Sequence, residues 1–162
     1  MRIPYRIALA FTGLSLFGML ATAAAPAATP AGWKTVTNDT KTCKLSLPPE
    51  WKESPPDSGM FDGPEAGEMV MFIEDEETAK AGNLDPIRAE IARKKAAGTK
   101  VEVLEDTPTS IIFQSPRGSL LAVLAFRRSP KTLCVVQIAV PAADPAVQKV
   151  ARQIADSLTP AP

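Results

Sequence analysis

The sequence predicts an α+β fold, an antiparallel sheet of about six strands flanked by two helices. Three observations lead there. Short stretches of alternating or continuous apolar residues recur between turn residues and read as strands. Two Asp-Pro pairs each open a segment whose apolar residues recur at helical spacing. The joints between the last strands are too short for a crossover helix, which forces antiparallel pairing.

The first strand is Cys43-Lys44-Leu45-Ser46-Leu47, whose apolar residues share one face and whose polar residues share the other. Pro48-Pro49 ends it, since proline cannot donate to a ladder. Met69 to Ile73 is a second strand, apolar on both faces. Val101 to Leu104, Ser110 to Gln114, Ser119 to Arg127 and Thr132 to Val140 complete the set. Ser115-Pro116-Arg117-Gly118 and Arg128-Ser129-Pro130-Lys131 read as turns, so the last strands form a meander.

The first helix is expected after Asp85, as N-cap acceptor, with Pro86 at the first helical position. Ile87 and Ile91 share a face, Glu90 and Lys94 can pair, and Lys94 and Lys95 precede a stop at Gly98. Asp144-Pro145 repeats the device. Val147, Val150, Ala151, Ile154 and Leu158 then form the apolar stripe of a helix docked on a sheet, and Pro160 marks its end.

Ahead of the domain, Arg2 and Arg6 precede an apolar run from Ile7 to Leu20 and then Ala21-Thr22-Ala23. Basic start, apolar stretch and small residues follow the order of a secretory signal, and the run is shorter than the roughly 20 residues a membrane span takes. Residues 1–23 are therefore expected to be removed, with Ala24 first in the mature chain and the periplasm or the exterior as destination. The two arginines are not adjacent, which argues against twin-arginine export, and no Cys follows the run to carry a lipid. Residues 24–32 are Ala, Pro and Thr apart from Gly32 and are expected to be a disordered tether. A single α+β domain is expected over residues 33–158, with a tail at 159–162 that has nothing to pack. Removing residues 1–23 from 162 leaves 139, a length suited to one domain.

Loss of Arg2 and Arg6 takes the basic count from 18 to 16 against 18 acidic residues, a net charge of −2. That balance disfavours nucleic acid and anionic lipid as partners. Cys43 and Cys134 are expected to be bridged in an oxidising compartment, as a staple and not a redox pair, which would sit as Cys-x-x-Cys. The chain has no histidine, which excludes imidazole bases, Ser-His and Cys-His nucleophiles and His-containing zinc sites together. Its one tyrosine, Tyr5, lies in the expected signal. The catalytic repertoire shrinks to carboxylates, Lys, Ser and Thr.

Glu74-Asp75-Glu76-Glu77 is the densest acidic run, with Glu102, Glu105 and Asp106 as candidate partners in a carboxylate pair or a Ca²⁺ site. It lacks the spaced Asp-x-Asp-x-Asp-Gly pattern and is expected to be a solvated strand end. Met69 and Met71 share a strand face, with Met60 across a glycine-rich segment. Three soft thioethers would suit Cu(I), but the expectation is plain core packing and no metal or other cofactor. Arg117, Arg127, Arg128 and Lys131 are a candidate partner surface at the meander turns. Trp51, beside Pro48-Pro49, reads as a packing anchor that would join that surface only if exposed.

Leu45-Ser46-Leu47-Pro48-Pro49-Glu50-Trp51 resembles the opening strand, proline and tryptophan of the PsbP-like superfamily, and Ile154-Ala155-Asp156-Ser157-Leu158 resembles its closing helix. That superfamily includes the extrinsic oxygen-evolving protein of photosystem II, a Ran-binding import factor and bacterial envelope proteins. The resemblance covers Trp33 to Leu158 as an order of elements. It implies an α/β/α sandwich, no catalytic residues, and a role in binding or assembly. The function expected is that of an exported, non-enzymatic envelope protein that binds or helps assemble another protein. Two readings compete with it: a carboxylate-only enzyme acting on a glycan, and a Cu(I)-binding protein.

Overall fold

In a computed structural model that describes residues 29–161, the chain runs β1 (Lys34–Thr37), β2 (Cys43–Leu47), β3 (Lys52–Glu53), β4 (Met60–Asp62), β5 (Met69–Ile73), α1 (Glu76–Ala81), α2 (Asp85–Ala96), β6 (Glu102–Thr107), β7 (Ser110–Arg117), β8 (Leu120–Arg128), β9 (Leu133–Pro141), α3 (Pro145–Ser157) and β10 (Thr159–Pro160). The expected signal, residues 1–23, and residues 24–28 lie outside the described residues. Of the expected tether, residues 29–32 are described: the Pro30 carbonyl accepts from the Trp33 N–H at 3.3 Å, and the Thr29 hydroxyl lies 3.2 Å from that of Ser46.

Seven strands form one antiparallel sheet in the order β3-β4-β5-β9-β8-β7-β6. The meander expected from the short joints is β7 to β9, and β6 extends it by pairing antiparallel with β7. Its β7–β8 hairpin is tighter than expected, because Arg117 pairs with Leu120 and only Gly118-Ser119 turns the chain. Gly118, at φ 63°, adopts the left-handed conformation such a two-residue turn requires. Pro116 is tolerated within β7 because the β6 partners end at Gln114, so its missing N–H interrupts no β6 bond.

Strand alternation divides this sheet between two cores. On one face Val123, Val136, Ile138 and Val140 meet Leu45 and Leu47 of β2, Trp51, and Ala151, Ile154 and Leu158 of α3. Each fully buried aliphatic here contributes about 1.5–3 kcal/mol relative to exposure. On the other face Ile111, Phe113, Phe126 and Val135 meet Leu84 and, from α2, Ile87 and Ile91. The α+β sandwich of antiparallel sheet and helices is thus present, with more elements than expected.

Four expectations need correction. β2 belongs not to the main sheet but to a three-stranded sheet, β1-β2-β10, which the Cys43–Cys134 disulfide joins to β9. The expected tail 159–162, of which Pro162 lies outside the described residues, does not hang free over residues 159–161: Thr159 and Pro160 pair with Lys44 and Cys43, and the Ala161 N–H donates to the Thr42 carbonyl at 2.7 Å. Backbone pairing needs no apolar side chain, so composition gave no sign of it. The acidic run does follow the end of β5 and is largely exposed, as expected, but from Glu76 on it also opens a helix. Asp75 accepts from the Thr78 N–H at 3.0 Å and its hydroxyl at 2.9 Å, and caps α1, whose first turn gains from Glu76 and Glu77 near the positive end of the helix. Finally, Asp85 is the first residue of α2 and not its cap; the N-cap is Leu84, and Asp85 pairs with Arg88 at 2.9 Å.

Other local expectations stand. The Asp144 side chain accepts from the Ala146 and Val147 N–H groups at the start of α3. α2 ends with the Gly98 N–H donating to Lys95 and the Thr99 N–H to Lys94, the two bonds of a Schellman cap around a left-handed glycine.

Candidate functional site

A cleft of about 390 Å³ opens where the β1–β2 turn faces the end of β5 and the start of α1. The Asn38 side chain fixes the turn, its Oδ1 accepting from the Thr42 and Cys43 N–H groups at 3.0 and 2.9 Å. The opposite wall is set by the Asp75 cap and by Gly59, whose carbonyl accepts from the Phe72 N–H at 3.2 Å. The floor is apolar, formed by Phe72, Ile73, Leu133 and Val135 beside the disulfide. The charged residues that line it, Asp39, Glu74, Asp75 and Glu76, are all acidic, and Thr40, Thr42 and Ser58 add hydroxyls.

Sequence reasoning missed this cleft because its walls come from residues 38–43, 58–59, 72–79 and 133–135. The acidic run was the one part of it visible beforehand. Its candidate partners do not join it. Glu102, Glu105 and Asp106 lie on β6, which three strands separate from β5. At about 4.8 Å per strand that is roughly 19 Å, beyond the span of a glycosidase carboxylate pair. Each has another partner: Glu102 accepts from Gln114, Glu105 pairs with Arg127 at 2.9 Å and with Arg152 at 3.7 Å, and Asp106 pairs with Arg88 at 2.8 Å. The hydrogen bonds from Arg88 to Asp106 and Asp85, the former the larger cause, hold its guanidinium still more firmly protonated.

The four basic residues expected at the meander turns are split between the two ends of the sheet, Arg117 at one and Arg127, Arg128 and Lys131 at the other. Arg117 and Arg127 sit at opposite ends of the β7–β8 ladder, about 23 Å apart at 3.3 Å per residue. Arg127 is engaged by Glu105, and Arg128 donates to the Thr78 and Ala79 carbonyls at 3.2 and 3.3 Å. Arg117 and Lys131 remain exposed, at opposite ends of the sheet. Trp51 is 2% exposed and cannot join a partner surface; it is the packing anchor, and its carbonyl accepts from Lys34 Nζ.

The three methionines are brought together. Met60 stands opposite Met71 in the β4–β5 pair, and Met69 shares the Met71 face. They are half-buried and belong to neither core, against the expectation of core packing. The reason is coverage: α2 covers the Ile111, Phe126 and Val135 end of that face and stops short of the methionines.

Among the described residues no helix is long and apolar enough to cross a membrane, and no group of three His, Cys, Asp or Glu side chains is placed to hold a metal ion. Fold and site define a small, disulfide-linked α+β domain with an acidic cleft. The chain is similar to the solution structure of cyanobacterial PsbP (CyanoP) from Synechocystis sp. PCC 6803, with a TM-score of 0.49 and 12% identity, covering 82% of this chain and 94% of that one. No family model matches the chain, and no curated protein matches it. The likeness is one of fold, as was the resemblance read from the sequence, and no residue role is taken from it.

Proposed function

We propose that the protein is an exported, non-enzymatic envelope module that binds another protein, taking a cationic segment with apolar neighbours into the cleft. The observation that carries this reading is the pairing of an apolar floor with a charged lining that is wholly acidic. Carboxylates around a concave, low-dielectric floor focus a negative potential, which attracts Lys or Arg while the floor takes the adjoining apolar side chain. The disulfide supports an oxidising destination. The absence of histidine from the whole chain supports binding over acid–base turnover.

The test is titration of the mature protein with short peptides that alternate Lys or Arg with Leu, alongside acidic counterparts. Binding of the basic set is expected, weakening steeply with salt and lost when Asp39 and Glu74 are both replaced by Lys. Binding that survives this reversal would remove the cleft as the site. Turnover of a glycan by the purified protein, abolished by Glu74→Gln, would overturn the non-enzymatic reading.

A further inference from the structure

The open end of the α2-bearing sheet face presents Met60, Met69 and Met71, none of which lines the acidic cleft. Met60 and Met71 are direct cross-strand partners, so their Cβ atoms lie about 5 Å apart, with Met69 on the diagonal at about 7 Å. Methionine is unbranched with three rotatable bonds, so three thioethers at these separations can close on one point above the sheet. Core filling does not account for them, since all three are half-exposed and outside both cores.

We propose that Met60, Met69 and Met71 form a Cu(I) site. Thioether sulfur is a soft, neutral donor that selects Cu(I) over hard and borderline divalent ions. Asp62 pairs directly opposite Met69 and so shares its face, placing one negative charge beside the bound monocation. Stronger soft donors do not compete: both cysteines are in the disulfide and the chain has no histidine. The donors sit on two hydrogen-bonded strands, so their backbone spacing is set before the ion arrives.

Anaerobic titration of Cu(I) against a chromophoric Cu(I) chelator tests the site. One equivalent is expected to be retained by the wild type, with sulfur neighbours in the copper X-ray absorption spectrum, while Zn(II) and Ca(II) are not retained. Met69→Leu is expected to lower the affinity at least tenfold, and replacement of all three methionines by Leu to abolish retention. These changes nearly conserve volume, and an unchanged melting temperature checks that the fold stands. No retention by the wild type, equal retention by Met69→Leu, or retention by the triple variant would each overturn the site. Peptide binding in the cleft is expected to be unchanged in all these variants, so the two readings fail separately.

Discussion

Gly63 shows how closely the chain is fitted around Trp51. A Cβ there would lie 2.5 Å from the Glu68 Cβ and 3.0 Å from Trp51 Cζ2, and neither neighbour is the free end of a flexible chain. Trp51 is buried and Glu68 is 5% exposed, so neither can swing into solvent. Gly63→Ala is therefore expected to destabilise by about 1–3 kcal/mol, the cost typical of overpacking, measured by urea unfolding. Trp51→Ala is expected to cost more, about 3–5 kcal/mol, because it leaves a cavity in the larger core. A near-neutral result for Trp51→Ala would contradict its place as the core anchor.

At the level of elements, the helices differ in how they are held. α3 combines a side-chain cap with an apolar stripe in the main core, so Asp144→Ala should cost about 1 kcal/mol of global stability. α2 has no side-chain N-cap and relies on its Schellman end, Ile87 and Ile91, and ion pairs. Within it the Glu90 carboxyl is held below its ordinary range, chiefly by the hydrogen bond from Arg93, with Lys94 adding a smaller attraction. A depressed folded-state pKa stabilises above the unfolded value and is lost as pH falls through the folded one. Any contribution of Glu90 thus disappears only on the acid side of the carboxylate range. Its side-chain NMR titration midpoint is expected to rise in Arg93→Gln, and an unmoved midpoint would show that Arg93 is not the cause.

On the scale of the whole molecule, the disulfide ties the three-stranded sheet to the centre of the seven-stranded one across 91 residues of sequence. Closing a loop of that length restricts the unfolded chain by about 4–5 kcal/mol in the chain-entropy model. Replacing both cysteines by Ala is expected to lower the unfolding free energy by about that much, with the far-UV spectrum retained at low temperature. A double variant as stable as the parent would show that the hydrogen-bonded pairing of β10 and the packing of β2 suffice without the bridge. The export reading belongs here too: mass spectrometry of the native protein is expected to find an N-terminus at or near Ala24, and recovery of intact Met1 in the membrane fraction would refute it.

What the sequence determined by itself is what periodicity and local chemistry encode. Met69 to Ile73 is a strand with the expected bounds, β7 to β9 differ from expectation by at most three residues at an end, and Asp144 caps its helix as read. The α+β class followed, because a side chain's periodicity and a cap's hydrogen bond are decided within a few neighbouring residues. Tertiary structure alone decided what depends on pairing between distant segments. It separated β2 from the main sheet, drew 159–160 alongside it, and sent the basic turn residues to opposite ends of the sheet. It left the methionine end of one face only partly covered and assembled the acidic cleft from four separate segments. Each of these is a matter of which edges pair and which faces are covered, and a single strand's pattern carries no record of its neighbour.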